Sequence, residues 1–167
     1  MFKPSVTALS ALTALALLTR FAMLNYPRQV VFDEYHFGKF VDGYLRGEYF
    51  FDIHPPLGKL LLTASARLGG YNGTQTWDRI GADIDPEVNL FALRSLPALL
   101  GAMLVPLMYA TARAIGLSQP GSLLPAIAVL FDLFYLVESR YVLTDATLLL
   151  GLLLQVYGSF ASDAQIS

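Results

Sequence analysis

The chain has 167 residues, 55% of them hydrophobic and only 14% charged. Ordinary soluble domains carry roughly 25% charged residues, so several segments are expected to meet lipid rather than water. The formal net charge is −2, and no basic cluster is present to neutralise a phosphate backbone, which argues against nucleic acid as a partner. Cysteines are absent, which excludes disulfides and thiolate metal sites.

In chain order, residues 1–24 are expected to form a short cytoplasmic N-terminus and a first transmembrane helix. The apolar run SVTALSALTALALLTRFAML matches the roughly 20 residues that cross a bilayer core. Its length favours an uncleaved span over a signal peptide, with Arg20 placed to snorkel. Tyr26 and Pro27 end it. Residues 25–88 contain no apolar run long enough to span, and form a loop domain on the far side of the membrane. Within it, Phe37, Phe40, Val41, Tyr44 and Leu45 recur at helical spacing, predicting a short amphipathic helix over 34–46 that stops at Gly47. A second begins after Pro55-Pro56, with Leu57, Leu60, Leu61, Ala64 and Leu68 on one face, and ends at Gly69-Gly70. Each helix fits two environments, the membrane interface or a folded core. Residues 71–88 are polar and turn-rich, and Asn72-Gly73-Thr74 fits the N-glycosylation acceptor pattern. It bears on the protein only in a secretory compartment.

Further spans are expected over 89–112, 122–137 and 141–160, followed by a polar tail. The second contains Arg94, Pro97 and Pro106, the third Asp132, and the fourth Asp145 in its first turns. About four spans place both termini on one side, and residues 25–88 together with the polar break Glu138-Ser139-Arg140 on the other.

The chemistry concentrates between residues 33 and 59. Asp33 and Glu34 can cap a helix, bind a hard cation or supply a general base. His54-Pro55-Pro56 makes a rigid corner that can hold a donor group with little reorganisation. Two histidines eighteen positions apart do not form a zinc signature. Arg94 and Arg140 can form ion pairs between spans, Arg140 with Glu138 or Asp145, or bind a lipid phosphate in a bidentate manner.

The segment VFDEYHFGKF, followed by YFFDIHPPLGKLL, resembles the first extracytoplasmic loop of the protein O-mannosyltransferases, which are polyprenyl-phosphate-sugar-dependent transferases of GT-C fold. LRSLPALLGAMLVPLMY and ESRYVLTDA extend the similarity along the chain. The resemblance implies the N-terminal part of an all-α integral membrane GT-C fold. It implies transfer of mannose from polyprenyl- or dolichyl-phosphate mannose to Ser/Thr hydroxyls of an acceptor protein, with inversion. It further implies no metal or other cofactor, a lipid bilayer as environment and a homo- or heterodimer with a family member. The location would be the endoplasmic reticulum membrane in a eukaryote and the plasma membrane in a bacterium. On this resemblance Asp33 is the catalytic base and Glu34 a positioning partner. His54 and Lys59 lie near the donor sugar or phosphate, Arg140 serves structure, partner contact or phosphate binding, and Pro55, Pro56, Arg94 and Asp145 are structural or intramembrane polar residues. Members have many more spans than these, so the 167 residues alone are expected to be an inactive fragment. A related transferase with a lipid or glycan acceptor is the alternative of the same fold. A transporter or structural membrane subunit is the alternative of another class, disfavoured because the polar residues gather at one face instead of the midplane.

Overall fold

The computed structural model describes residues 3–166, with side chains to 162. Among the described residues the protein is all-helical, with seven helices and one isolated antiparallel bridge between Gln29 and Asp83. The helices are α1 (Val6–Phe21), α2 (Glu34–Arg46), α3 (Pro56–Leu68), α4 (Leu90–Ala114), α5 (Gln119–Phe131), α6 (Leu133–Glu138) and α7 (Asp145–Ile166). α4 and α7 are long and apolar enough to cross a bilayer, while α1 and α5 are shorter apolar helices.

α4 is the mast of the fold and packs against α1, α3, α5 and α7. Asn89 caps its first turn by accepting from the Ala92 amide at 3.2 Å. The helix runs through Pro97 and Pro106 without ending. Ala102, Val105 and Tyr109 meet Leu12 and Ala16 of α1 and Ala126 and Leu130 of α5. Leu104 meets Tyr135 of α6 and Leu150 of α7. Most of α7 faces outward, with Leu148, Leu152 and Leu154 exposed, as suits a helix that meets lipid or further helices.

The single helix expected over 122–137 is two. Asp132 accepts from the Tyr135 amide at 2.7 Å and so caps α6, which makes this acid a helix break. The carbonyls left at the end of α5 are taken by Arg20, which donates to Val129 O at 3.1 Å and Leu130 O at 3.0 Å. Arg20 is completely buried, so it does not snorkel as its position in the sequence suggested. The tail expected to be polar and separate continues α7 to Ile166; Ser167 lies outside the described residues.

Residues 25–88 fold over the α4 N-terminus with a core of their own. Phe37 and Val41 of α2, Leu62 and Ala66 of α3, and Leu90 and Leu93 of α4 pack with Trp77, Ile84 and Val142. α2 therefore takes the folded-core environment. α3 presents a second apolar face outward through Leu57, Leu60 and Leu68. Gly47 ends α2 at φ 70°, the left-handed conformation that glycine adopts without steric cost. Asp42 is buried on the inner face of α2 and accepts from Tyr71 Oη at 2.6 Å and Trp77 Nε1 at 3.1 Å. Burial raises its pKa, and the hydrogen bond from Tyr71 and the charge of Arg46 only partly oppose the rise.

Trp77 also lies flat against Gly38, where an added Cβ would stand 2.2 Å from the indole. Gly38→Ala is expected to lower stability by about 1–3 kcal/mol through overpacking, despite the better helix propensity of alanine. Gly158→Ala, with open space around it, is the control and should not lower it. Thermal unfolding of the two variants in detergent separates the effects.

Candidate active site

Glu34 and Arg94 form the centre of the loop domain. Arg94 Nε and one terminal nitrogen each donate to a Glu34 carboxylate oxygen at 2.8 Å, a bidentate pair with both side chains fully buried. Arg94 places its remaining donors on Leu24 O at 3.3 Å, Pro27 O at 2.9 Å and Gln29 O at 3.2 Å. Glu34 also accepts from the amides of Val31 and Val142, both at 3.0 Å. Every guanidinium N–H is satisfied, and each carboxylate oxygen accepts two bonds. Such a fully connected network is the condition under which a buried ion pair is tolerated. It ties together the α1 exit, the α2 start, α4 and the segment before α7. Glu34 thus reaches no solvent.

Asp33 is the neighbour that this network holds in place. It precedes α2, yet its side chain makes no capping bond, so the capping role open to it from sequence is not taken. Its carboxylate is half-buried and accepts no hydrogen bond among the described residues. Phe32, just before it, has φ 49°, a left-handed conformation rare for a bulky residue and typical of strained functional turns. Asp145 and Asp33 both lie close to Glu138. The charges of Asp145 and Asp33 both act on Glu138. Among the described residues no group of His, Asp and Glu is arranged to hold a metal ion.

The His54-Pro55-Pro56 corner packs against the same end of α2. The His54 ring centre lies 5.3 Å from that of Phe37, one helical turn beyond Asp33. His54 is exposed, and its Nδ1 stands 3.1 Å from Asp52 Oδ2. Lys59 reaches the same oxygen at 2.6 Å and is almost wholly buried, with its ammonium over the Phe40 and Phe50 rings. Lys59 faces Asp52 rather than open solvent. Pro56 begins α3, where its missing N–H costs nothing, and Pro55 precedes it. An apolar groove of about 360 Å³ starts at His54 and Pro55 and continues between α3 and α7, past Gly58, Thr144, Leu148 and Gly151.

Asp52, which the sequence did not single out as a site residue, is the hinge of this corner. Burial alone would raise its pKa, but the hydrogen bonds from Lys59 and His54 outweigh burial and lower it. A depressed folded-state pKa means that the pairing stabilises the corner above the ordinary carboxylate range and is lost as pH falls through the lowered value. The corner should stay intact at neutral and mildly acidic pH. Lys59→Met removes the ammonium, and the loss of a charged hydrogen bond is expected to cost about 1.5–3 kcal/mol. The stability difference between the two proteins should be full at neutral pH and close as pH falls through the lowered Asp52 value, so the variant's acid limb is flatter.

Arg140 donates to Ala22 O at 2.6 Å and Thr19 O at 3.5 Å, the free carbonyls at the end of α1. Among the described residues it pairs with neither Glu138 nor Asp145. Asp145 is exposed in the first turn of α7, where a carboxylate complements the helix dipole.

Residues 10–165 match a family model described as dolichyl-phosphate-mannose-protein mannosyltransferase. The sequence is 44% identical over 153 residues to dolichyl-phosphate-mannose–protein mannosyltransferase 4 of Candida albicans, which covers 91% of this chain and 20% of that protein. It is 43% identical over 137 residues to protein O-mannosyltransferase 1 of Drosophila melanogaster, covering 82% of this chain and 16% of that one. A structure of the S. cerevisiae protein O-mannosyltransferase Pmt1-Pmt2 complex bound to the sugar donor superposes with a TM-score of 0.88 at 37% identity, over 92% of this chain and 21% of the other. The chain spans about a fifth of the length of these relatives. The order of motifs, the fold and these similarities agree: the chain belongs to the dolichyl-phosphate-mannose-protein mannosyltransferase family.

Proposed function

We propose that this chain supplies the catalytic loop of a membrane mannosyltransferase, acting with further spans of the full-length protein. The donor is dolichyl-phosphate mannose and the acceptor a Ser or Thr hydroxyl of a protein. Asp33 takes the hydroxyl proton as the acceptor oxygen attacks C1 of the mannose. The C1–O bond to phosphate breaks, configuration inverts, and the lipid phosphate leaves. Glu34 and Arg94 hold Asp33 in register, and Asp52 and Lys59 orient His54 toward the donor. The groove from His54 along α7 suits the first part of an isoprenoid chain, being apolar and open. The observation that carries this reading is the unpartnered Asp33 carboxylate beside a saturated Glu34–Arg94 lock. A general base needs a free lone pair and a fixed position.

The charges of Asp33, Glu138 and Asp145 repel a phosphate, so its counter-charge must come in part from further spans of the full-length protein or from Arg140 after release from α1. The same reading gives α1, α4, the α5–α6 pair and α7 as four spans, with residues 25–88 in the lumen of the endoplasmic reticulum. Pairing with a second family member is supported by the two-protein assembly of the yeast neighbour. The test is transfer by the full-length protein from dolichyl-phosphate mannose to a Ser/Thr peptide, beside the same peptide with alanines and a glycolipid acceptor. Mannose on the Ser/Thr peptide alone is expected; transfer to the glycolipid alone would overturn the assignment of acceptor.

A further inference from the structure

We propose that Asn72 carries an N-linked glycan, a modification site on the outer surface of the loop domain. The inference rests on the luminal placement of residues 25–88 given above. Asn72-Gly73-Thr74 has the acceptor pattern, but a pattern is usable only where the chain leaves the core. Here it does so for these three residues. Tyr71 and Gln75, on either side, are each 6% exposed, whereas Asn72 and Thr74 are exposed and Gly73 is half-buried. Tyr71 is anchored through its hydroxyl on Asp42, and Gln75 through bonds to Thr76 O and from the Asp85 amide. Gly73 has φ 83°, which lets the chain turn out and back within the tripeptide. The Asn72 amide makes no hydrogen bond among the described residues, so modification breaks no contact. The site lies in irregular backbone well before the first residue of α4, Leu90, and it sits beside the second half of α2, away from Asp33.

The reaction is transfer from a lipid-pyrophosphate-linked oligosaccharide by a separate luminal transferase. The bond from sugar C1 to pyrophosphate breaks, C1 joins Asn72 Nδ2, one amide proton goes to the base of that transferase, and the lipid pyrophosphate leaves. The Thr74 hydroxyl is the second half of the acceptor signal.

The experiment synthesises the chain into microsomes of the endoplasmic reticulum and reads gel mobility with and without peptide-N-glycosidase. The expected result is a single upward shift of one glycan, removed by the glycosidase and absent in Asn72→Gln and in Thr74→Ala. A control chain carries Asn72→Gln with Asp78→Asn and Ile80→Thr, which creates a new acceptor on an exposed part of the same loop. A shift in the control without one in the unaltered chain overturns the proposal and leaves the luminal placement standing. No shift in either overturns both.

Discussion

Glu34→Gln in the full-length protein is expected to cost about 3–5 kcal/mol, because it leaves the Arg94 guanidinium buried without its counter-charge. Total stabilities of folded domains are commonly about 5–15 kcal/mol, so much of the loop domain's margin would go. Arg94→Met should be as damaging, for the converse reason. The geometry makes a further distinction. Replacing both residues, with Glu34→Leu and Arg94→Met together, removes two buried charges at once and should be milder than the sum of the single changes. Even then, the two amides of Val31 and Val142 lose their acceptor, so wild-type stability should not return. Thermal unfolding in detergent of the wild type, Glu34→Leu, Arg94→Met and the double variant gives the coupling energy. Additive single and double changes would show that the pair does not act as a unit. Transfer should fall with the single changes as well, since the same network sets the position of Asp33.

Local features of the loop domain were legible from spacing. The apolar rhythm of Phe37 and Val41 and the stop at Gly47 give the bounds of α2, and Pro56 and Gly69 those of α3. The rigid corner at His54 follows from two prolines that fix the backbone, whereas its approach to α2 does not. Pairings between distant residues were not legible. Glu34 and Arg94 are sixty positions apart, and nothing local distinguishes a carboxylate that reaches an arginine from one that reaches water. Asp42 and Asp52 look like solvated charges on a helix and a turn, yet one carries Tyr71 and Trp77 and the other Lys59 and His54. The α5–α6 break escaped a hydropathy reading because the run from 122 to 137 stays apolar on either side of Asp132. The capping bond that ends one helix and begins the next is visible only in three dimensions. Arg20 misled for a similar reason. A cation near the end of a span can snorkel, but here the break in α5 offered it two carbonyls deeper in the fold.

Asp33→Asn is the second large effect, and it should fall on chemistry instead of stability. The Asp33 carboxylate holds no capping bond and no other hydrogen bond among the described residues, so asparagine removes a base without breaking a contact. Loss of a positioned general base typically slows a reaction by about 10²–10⁴-fold. Glu34→Gln should lower both melting temperature and transfer, whereas Asp33→Asn should lower transfer alone. The most direct measurement is the rate of mannose transfer from dolichyl-phosphate mannose to a Ser/Thr peptide by purified full-length Asp33→Asn protein, with its melting temperature taken in parallel. A rate reduced by about 10²-fold or more at an unchanged melting temperature is expected. Wild-type turnover by the folded variant would contradict it.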